Sequence, residues 1–224
     1  MQNPGSFAVQ VLRTQARKVS ERARAARAAF TFDPGPFAEH QFLRYVHYRR
    51  LAARIPQITR RETGARLVEF GGSNGAIRGM FGGLAYEVAP NFPTVDVQKL
   101  GRYADETYDV VVVDQVLEHV PDPQRAVTEL RRVLKPGGVC IATTPFLIRV
   151  HGYPNDFHRF TAQGLVRLFA DFSSCDADGW GNRYTLGVIE RYGWLSAKNT
   201  KRLLHVALWN EPEWPINFLT VAFK

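Results

Sequence analysis

The chain has 224 residues, 45% hydrophobic and 22% charged, which excludes a disordered or fibrous protein and suffices for one self-supporting core. No apolar run reaches the ~20 residues that span a bilayer, and two cysteines without CxxC spacing make neither a disulfide framework nor a zinc site. The net charge of +8 is local: residues 1–66 carry 13 Lys+Arg against 4 Asp+Glu, a net of +9, which leaves the remainder at −1.

The basic residues near the start follow a short apolar patch, the reverse of a signal peptide, so the expected location is the cytoplasm. Residues 7–30 lack Pro and Gly and are rich in Ala and Arg, which predicts a helix stopped by DPGP at 33–36. A second helical stretch follows, with Phe37, Phe42, Tyr45, Val46 and Leu51 at roughly helical spacing. Its aromatic face would pack on a core, while Tyr45, His47, Tyr48 and Arg49 would suit a lid over a pocket. Residues 1–64 are therefore expected to form a basic helical extension or lid, and residues 65–224 the main domain.

From Ala65 short apolar runs alternate with helical stretches, the pattern of βαβ units and a mostly parallel sheet with helices on both faces. Strands are predicted at 66–70, 85–89, 94–97, 109–114 and 138–144, and helices near 75–82, 122–134 and 161–170. The run VVVVD at 110–114 reads as a central strand buried on both sides. Pro123 opens the second of these helices, Pro-Gly-Gly closes it, and Thr161 is placed to cap the third. The last third is less regular, with strands expected at 175–180 and 216–224 and an amphipathic helix at 198–210.

The stretch LVEFGGSNGAI at 67–77 carries the chemistry. A glycine turn between a buried strand and a helix brings backbone N–H groups close to a ligand. GGSNGA fits the dinucleotide GxGxxG poorly and lacks the Lys-Ser/Thr ending of a P-loop. Glu69, two residues before Gly71, would repel a pyrophosphate but suit a cationic amine such as that of S-adenosylmethionine. Glu87, at the end of the next apolar run, is placed to accept hydrogen bonds from ribose hydroxyls.

Taken in order, LVEFGGSNG, YEVAP and YDVVVVDQVLEHVPDPQRAVTELRRVLKPGGVCIATTP resemble the class I S-adenosylmethionine-dependent methyltransferases of the type-11 group, over about residues 65–170. The resemblance implies a Rossmann-like fold, S-adenosylmethionine as cofactor and S-adenosylhomocysteine as product. The family's acidic-glycine loop is similar to Glu69, Gly71, Gly72, Ser73 and Gly75, with Ser73 standing where the middle glycine is usual. It places Asp114 and Gln115 near the methionine end of the cofactor and Lys99 and Leu100 near adenine.

The segment TTPFLIRVHGYPNDFHRFT is similar to a PFL…H…P.D..R.T pattern in relatives associated with glycan biosynthesis, matched by His151, Pro154, Asp156, Arg159 and Thr161. That likeness implies methyl transfer to a hydroxyl of a sugar or oligosaccharide. His151 is the expected general base, with His119 a second candidate, because an imidazole titrates near neutral pH. Asp156, His158, Arg159, Tyr45 and Tyr48 are expected at the acceptor, although Asp156 and Arg159 equally suit an ion pair that shapes the loop. Asp114, Asp156 and a histidine could assemble an oxygen-rich Mg²⁺ site, but no spacing demands one and no metal is predicted.

A small natural product is the next acceptor in line. An RNA or DNA methyltransferase, suggested by the basic N-terminal third, lacks an Asn/Asp-Pro-Pro-aromatic motif where DQVLEH stands, so no nucleic-acid partner is expected. A non-catalytic nucleoside-binding module is the alternative outside enzymes. The sequence leaves homodimerisation open.

Overall fold

The computed structural model of the chain describes residues 42–58, 64–72, 74–152, 154–192 and 201–224. Helix α1 (Phe42–Ile58) leads into strands β1 (Arg66–Gly71), β2 (Ala85–Val88) and β3 (Tyr108–Asp114), then helix α2 (Pro123–Val133) and strand β4 (Leu134–Pro145). Helix α3 (Ala162–Leu168), strand β5 (Ser174–Trp180), helix α4 (Arg183–Tyr192) and strand β6 (Asn217–Phe223) complete the described elements. They build one six-stranded sheet in the order β2-β1-β3-β4-β6-β5. The first four strands run parallel, whereas β6 is antiparallel to both β4 and β5. The expected mostly parallel sheet with helices is therefore present.

Successive strand residues point to opposite faces, and β3 shows why its apolar run is unbroken. Val111 and Val113 join Val68, Phe70 and the α2 residues Ala126, Val127 and Leu130 on one face. Val110 and Val112 join Leu67, Ile141 and the α1 residues Tyr48, Leu51 and Ile55 on the other. Helix α1 thus forms part of the core. A third cluster, around Tyr45, Val188, Ile189 and Ile216, ties α1 to α4 and to the approach to β6.

Helix α2 opens at Pro123 and α3 is capped by Thr161, as expected. Asp122 accepts from the Arg125 N–H at 3.0 Å with Pro123 next in line, and Thr161 Oγ1 accepts from the Gly164 N–H at 3.1 Å. The Pro-Gly-Gly segment does not itself end α2, which stops at Val133; it lies within β4, which begins at Leu134. Leu134 pairs with Tyr108, Val139 with Val110, and the intervening residues bulge out of the ladder.

Three expectations need correction. Residues 94–97 form no strand: Asp96 Oδ1 accepts from the backbone N–H of Gln98 at 2.9 Å and from its side-chain amide at 3.0 Å, which folds the segment into a turn. This is local side-chain competition with the ladder, while Val95 and Val97 still enter the core. The helix expected near 75–82 is a 3-10 turn at Arg78–Phe81, and that expected at 198–210 is described as a 3-10 segment at Lys201–Leu208. Helix α4 was not anticipated. The helix expected over 7–30 lies outside the described residues, as does Ser73.

Candidate active site

The site lies where the carboxyl ends of β1 and β3 meet the loop after β4, the crevice position of an open α/β sheet. Here a cavity of about 1050 Å³ opens, its wall including Gly71 and Gly72 from the first turn, Gln115 and His119 after β3, and His151 after β4.

The glycine turn is held from below. Gly71 has φ +113°, and a Cβ there would come within 2.4 Å of the Asp114 carbonyl oxygen and of Val116. The Gly72 N–H donates to that same carbonyl at 3.0 Å. Glu69, fully buried, accepts from the Gly75 N–H at 3.1 Å and from the Tyr86 hydroxyl. Its carboxylate therefore braces the turn and does not line the cavity. Burial, reinforced by the bond to Glu69, pushes the Tyr86 hydroxyl far up from its ordinary value, so it stays a donor.

Asp114 is also engaged. Its carboxylate accepts from Arg44 at 2.8 Å, from the Tyr48 hydroxyl at 3.1 Å and from Thr143 Oγ1 at 2.6 Å. Burial opposes charge on Arg44, but Asp114 and Tyr48 together outweigh it and raise the guanidinium above its ordinary value. Arg44 reaches the cavity wall and covers Gly72 so closely that a Cβ there would meet a guanidinium nitrogen at 2.3 Å. A permanently cationic group stacked on a glycine turn suits a carboxylate-bearing ligand. Arg44 was missed in the sequence. The signal was a lone cation heading the stripe Arg44, Tyr48, Leu51, Ile55, whose spacing is that of one helix face.

The loop after β4 brings the histidines together. The rings of His119 and His151 lie 5.0 Å apart, edge to face. His119 Nδ1 donates to the Asn155 carbonyl oxygen, and its Nε2 lies 3.6 Å from Glu118 Oε1. The His151 N–H donates to Asp156 Oδ2 at 2.8 Å, and its Nδ1 is 3.2 Å from the same oxygen. Asp156 in turn forms a bidentate pair with Arg159; burial works against its ionisation, but Arg159 prevails and holds the carboxyl at about 2. Burial lowers the His151 imidazole from its ordinary value, partly opposed by Asp156, which leaves it neutral at pH 7. Glu118 is fully buried beneath the pair, and its burial pushes the carboxyl up to about 8.

Of the residues expected to bind cofactor, Gly71, Gly72 and Gln115 are on the cavity wall, whereas Glu69, Gly75 and Asp114 support it from behind. Glu87 departs from expectation: its carboxylate accepts from the Tyr108 hydroxyl at 2.8 Å and is not on the wall. The cavity wall after β2 is formed instead by Pro90, Asn91 and Asp96. Lys99 is on the wall, while Leu100 is wholly buried. Among acceptor candidates, His119 and His151 face the cavity. Tyr45 and Tyr48 are packed in the core, and Asp156, His158 and Arg159 stand off the wall, with the ion-pair alternative for Asp156 and Arg159 realised. Asn155 and the exposed Phe92 and Phe157 take their places. The Asp114, Asp156 and histidine set does not assemble, since both carboxylates are committed to other partners; among the described residues the group spaced to share an ion is Glu118, His119 and His151.

Residues 53–142 match a family model described as a methyltransferase domain. An uncharacterized methyltransferase of Schizosaccharomyces pombe is 37% identical over 67 residues, 30% of this chain and 24% of that protein. A probable S-adenosylmethionine-dependent methyltransferase of Mycolicibacterium smegmatis is 43% identical over 63 residues, 26% of this chain and 24% of that protein. The chain thus spans about a quarter of the length of these curated relatives. The crystal structure of a SAM-dependent methyltransferase from Archaeoglobus fulgidus superposes with a TM-score of 0.55 at 15% identity, over 81% of this chain and 94% of that one, a likeness of fold. The match to the methyltransferase domain covers less than half of this chain, and the relatives share that likeness over shorter stretches still.

Proposed function

We propose that the protein transfers a methyl group from S-adenosylmethionine to a hydroxyl oxygen, the acceptor being a sugar or oligosaccharide. The observation that carries this reading is the joining, in one cavity, of the braced glycine turn under Arg44 with the histidine pair on the loop after β4. Gly71, Gly72 and Gln115 would hold the cofactor with Arg44 toward its carboxylate, the bare backbone of Gly72 leaving room for the Arg44 guanidinium. When bound, the cofactor supplies the methyl as a sulfonium.

The chain's own residues align the acceptor and accept its proton. The oxygen's electron pair forms the new C–O bond as the S–CH₃ bond breaks with its pair to sulfur, so charge disappears and alignment does most of the work. A hydroxyl must also lose its proton. His151, neutral and facing the cavity, takes it if the site works without a metal ion, an effect worth about 10²–10⁴-fold. His151→Ala is then expected to cut turnover about 10²-fold or more while S-adenosylhomocysteine affinity stays within about twofold. Activity equal to wild type would remove His151 from that role.

The sugar assignment rests on the Pro145–Thr161 likeness. A second acceptor class, the hydroxyl of a small aromatic natural product, is favoured by Phe92 and Phe157, exposed at 59% and 49% on the cavity wall. Transfer of label from methyl-tritiated cofactor to parallel panels of saccharides and phenols separates the two, and no transfer to either overturns the hydroxyl reading.

A further inference from the structure

We propose that Glu118, His119 and His151 form a binding site for one divalent transition-metal ion, whose open coordination position faces the cavity and receives the acceptor oxygen. One candidate ligand atom from each residue lies within 4.8 Å of the others, so side-chain shifts of about 1 Å bring them inside the ~4.2 Å that two ligands held at about 2.1 Å from one ion span at most. The second observation is Glu118 itself. Its side chain is 0% exposed, and neither carboxylate oxygen has a hydrogen-bond partner among the described residues. A buried carboxylate left so is costly, and a cation beneath two imidazoles removes that cost.

The surroundings are also those of a ligand set. Asn155 accepts the proton on His119 Nδ1, so the nitrogen left for an ion is Nε2, the one nearest Glu118. The next residue, Asp156, anchors the backbone of His151 and is itself fixed by Arg159. A carbonyl acceptor behind a metal-binding imidazole, as at His119, sets its tautomer and ring orientation. Two imidazoles and one carboxylate select Zn²⁺, Mn²⁺, Fe²⁺ or Co²⁺ over Mg²⁺ and Ca²⁺, which prefer oxygen.

This inference rests on the hydroxyl-acceptor reading for its chemistry and replaces the free base in it. Coordination lowers the acceptor hydroxyl's pKa, its proton passes to water at the cavity mouth, and His151 acts as ligand. The class of acceptor follows: a hydroxyl with a second oxygen on the adjacent carbon, able to chelate.

The test is calorimetric titration of MnCl₂, ZnSO₄ and MgCl₂ into the EDTA-treated full chain, without cofactor or acceptor. One Mn²⁺ or Zn²⁺ per chain is expected, with Mg²⁺ far weaker. Glu118→Gln, His119→Asn and His151→Asn should each weaken binding about tenfold or more, while Asp176→Asn, a carboxylate off the cavity wall, should not. If Glu118→Gln does not fold, the two histidine variants still decide the matter. Absence of binding to wild type, or unchanged binding in the variants, overturns the site. Ion binding without any hydroxyl methylation overturns only the reading of the preceding section, and methyl transfer that persists with no ion bound overturns only this one.

Discussion

Arg44 shows how one side chain can serve two structures. It neutralises the buried carboxylate of Asp114 and roofs the glycine turn, with a quarter of its own surface still reaching solvent. Arg44→Ala would leave Asp114 with the Tyr48 and Thr143 hydroxyls but no cation. Because Arg44 is partly solvated, the expected loss of stability is about 1–3 kcal/mol, not the larger figure of a fully buried pair. Affinity for S-adenosylhomocysteine should fall about tenfold, the effect of one charge-assisted hydrogen bond. A melting curve and a binding isotherm check both numbers, and a variant that melts and binds like wild type would dissolve the proposed role.

Helix α1 is joined to the sheet by two kinds of contact, and their magnitudes decide which one holds it. Arg54 pairs with Asp176 at 3.0 Å, but Asp176 is 65% exposed, so the pair is worth at most about 1 kcal/mol. Leu51 is 1% exposed and packed against Leu67 and Val110; its replacement by Ala should cost about 2–5 kcal/mol. Denaturant titration of Leu51→Ala and Arg54→Ala should show that contrast, and equal losses would mean the ion pair governs docking. The same distinction explains what could be read before the structure was known. Strand β3 was legible because both faces of the sheet are covered and its valine run is unbroken, and β1 and β4 because apolar residues still dominate theirs despite Glu69 in β1. Residues 94–97 misled because Val95 and Val97 alternate like a strand while Asp96 folds back on Gln98. Helix α4 escaped because its apolar residues cluster with Tyr45 and Ile216, partners far away in sequence. In the site, the glycine turn and the histidines were legible from local motif. Arg44 and the diversion of Glu87 to Tyr108 were not, since each depends on which element lies across from it.

Strand β6 links the regions of the molecule. Leu219 and Val221 enter the cluster under α1, Ala222 enters the cluster under α2, and Ile216, just ahead of the strand, enters the third. No part of the described core can lose β6 and keep its packing. One cooperative transition is therefore expected. The four tryptophans, at 180, 194, 209 and 214, all report the last third, whereas far-UV circular dichroism reports the whole. Their melting curves should coincide, and an earlier fluorescence transition would show that the last third unfolds as a separate unit.

During synthesis the position of β6 becomes a matter of timing. Strand β5 pairs with β6 alone, and β6 lies between it and β4. At about 5–20 residues per second, the 36 residues between Trp180 and Asn217 take about 2–7 s to emerge from the ribosome. Throughout that interval β4 presents a bare row of backbone donors and acceptors beside an apolar surface. The nascent chain is then most open to pairing with the wrong strand, and holding that edge apart until β6 arrives is the task this topology sets for cellular chaperones.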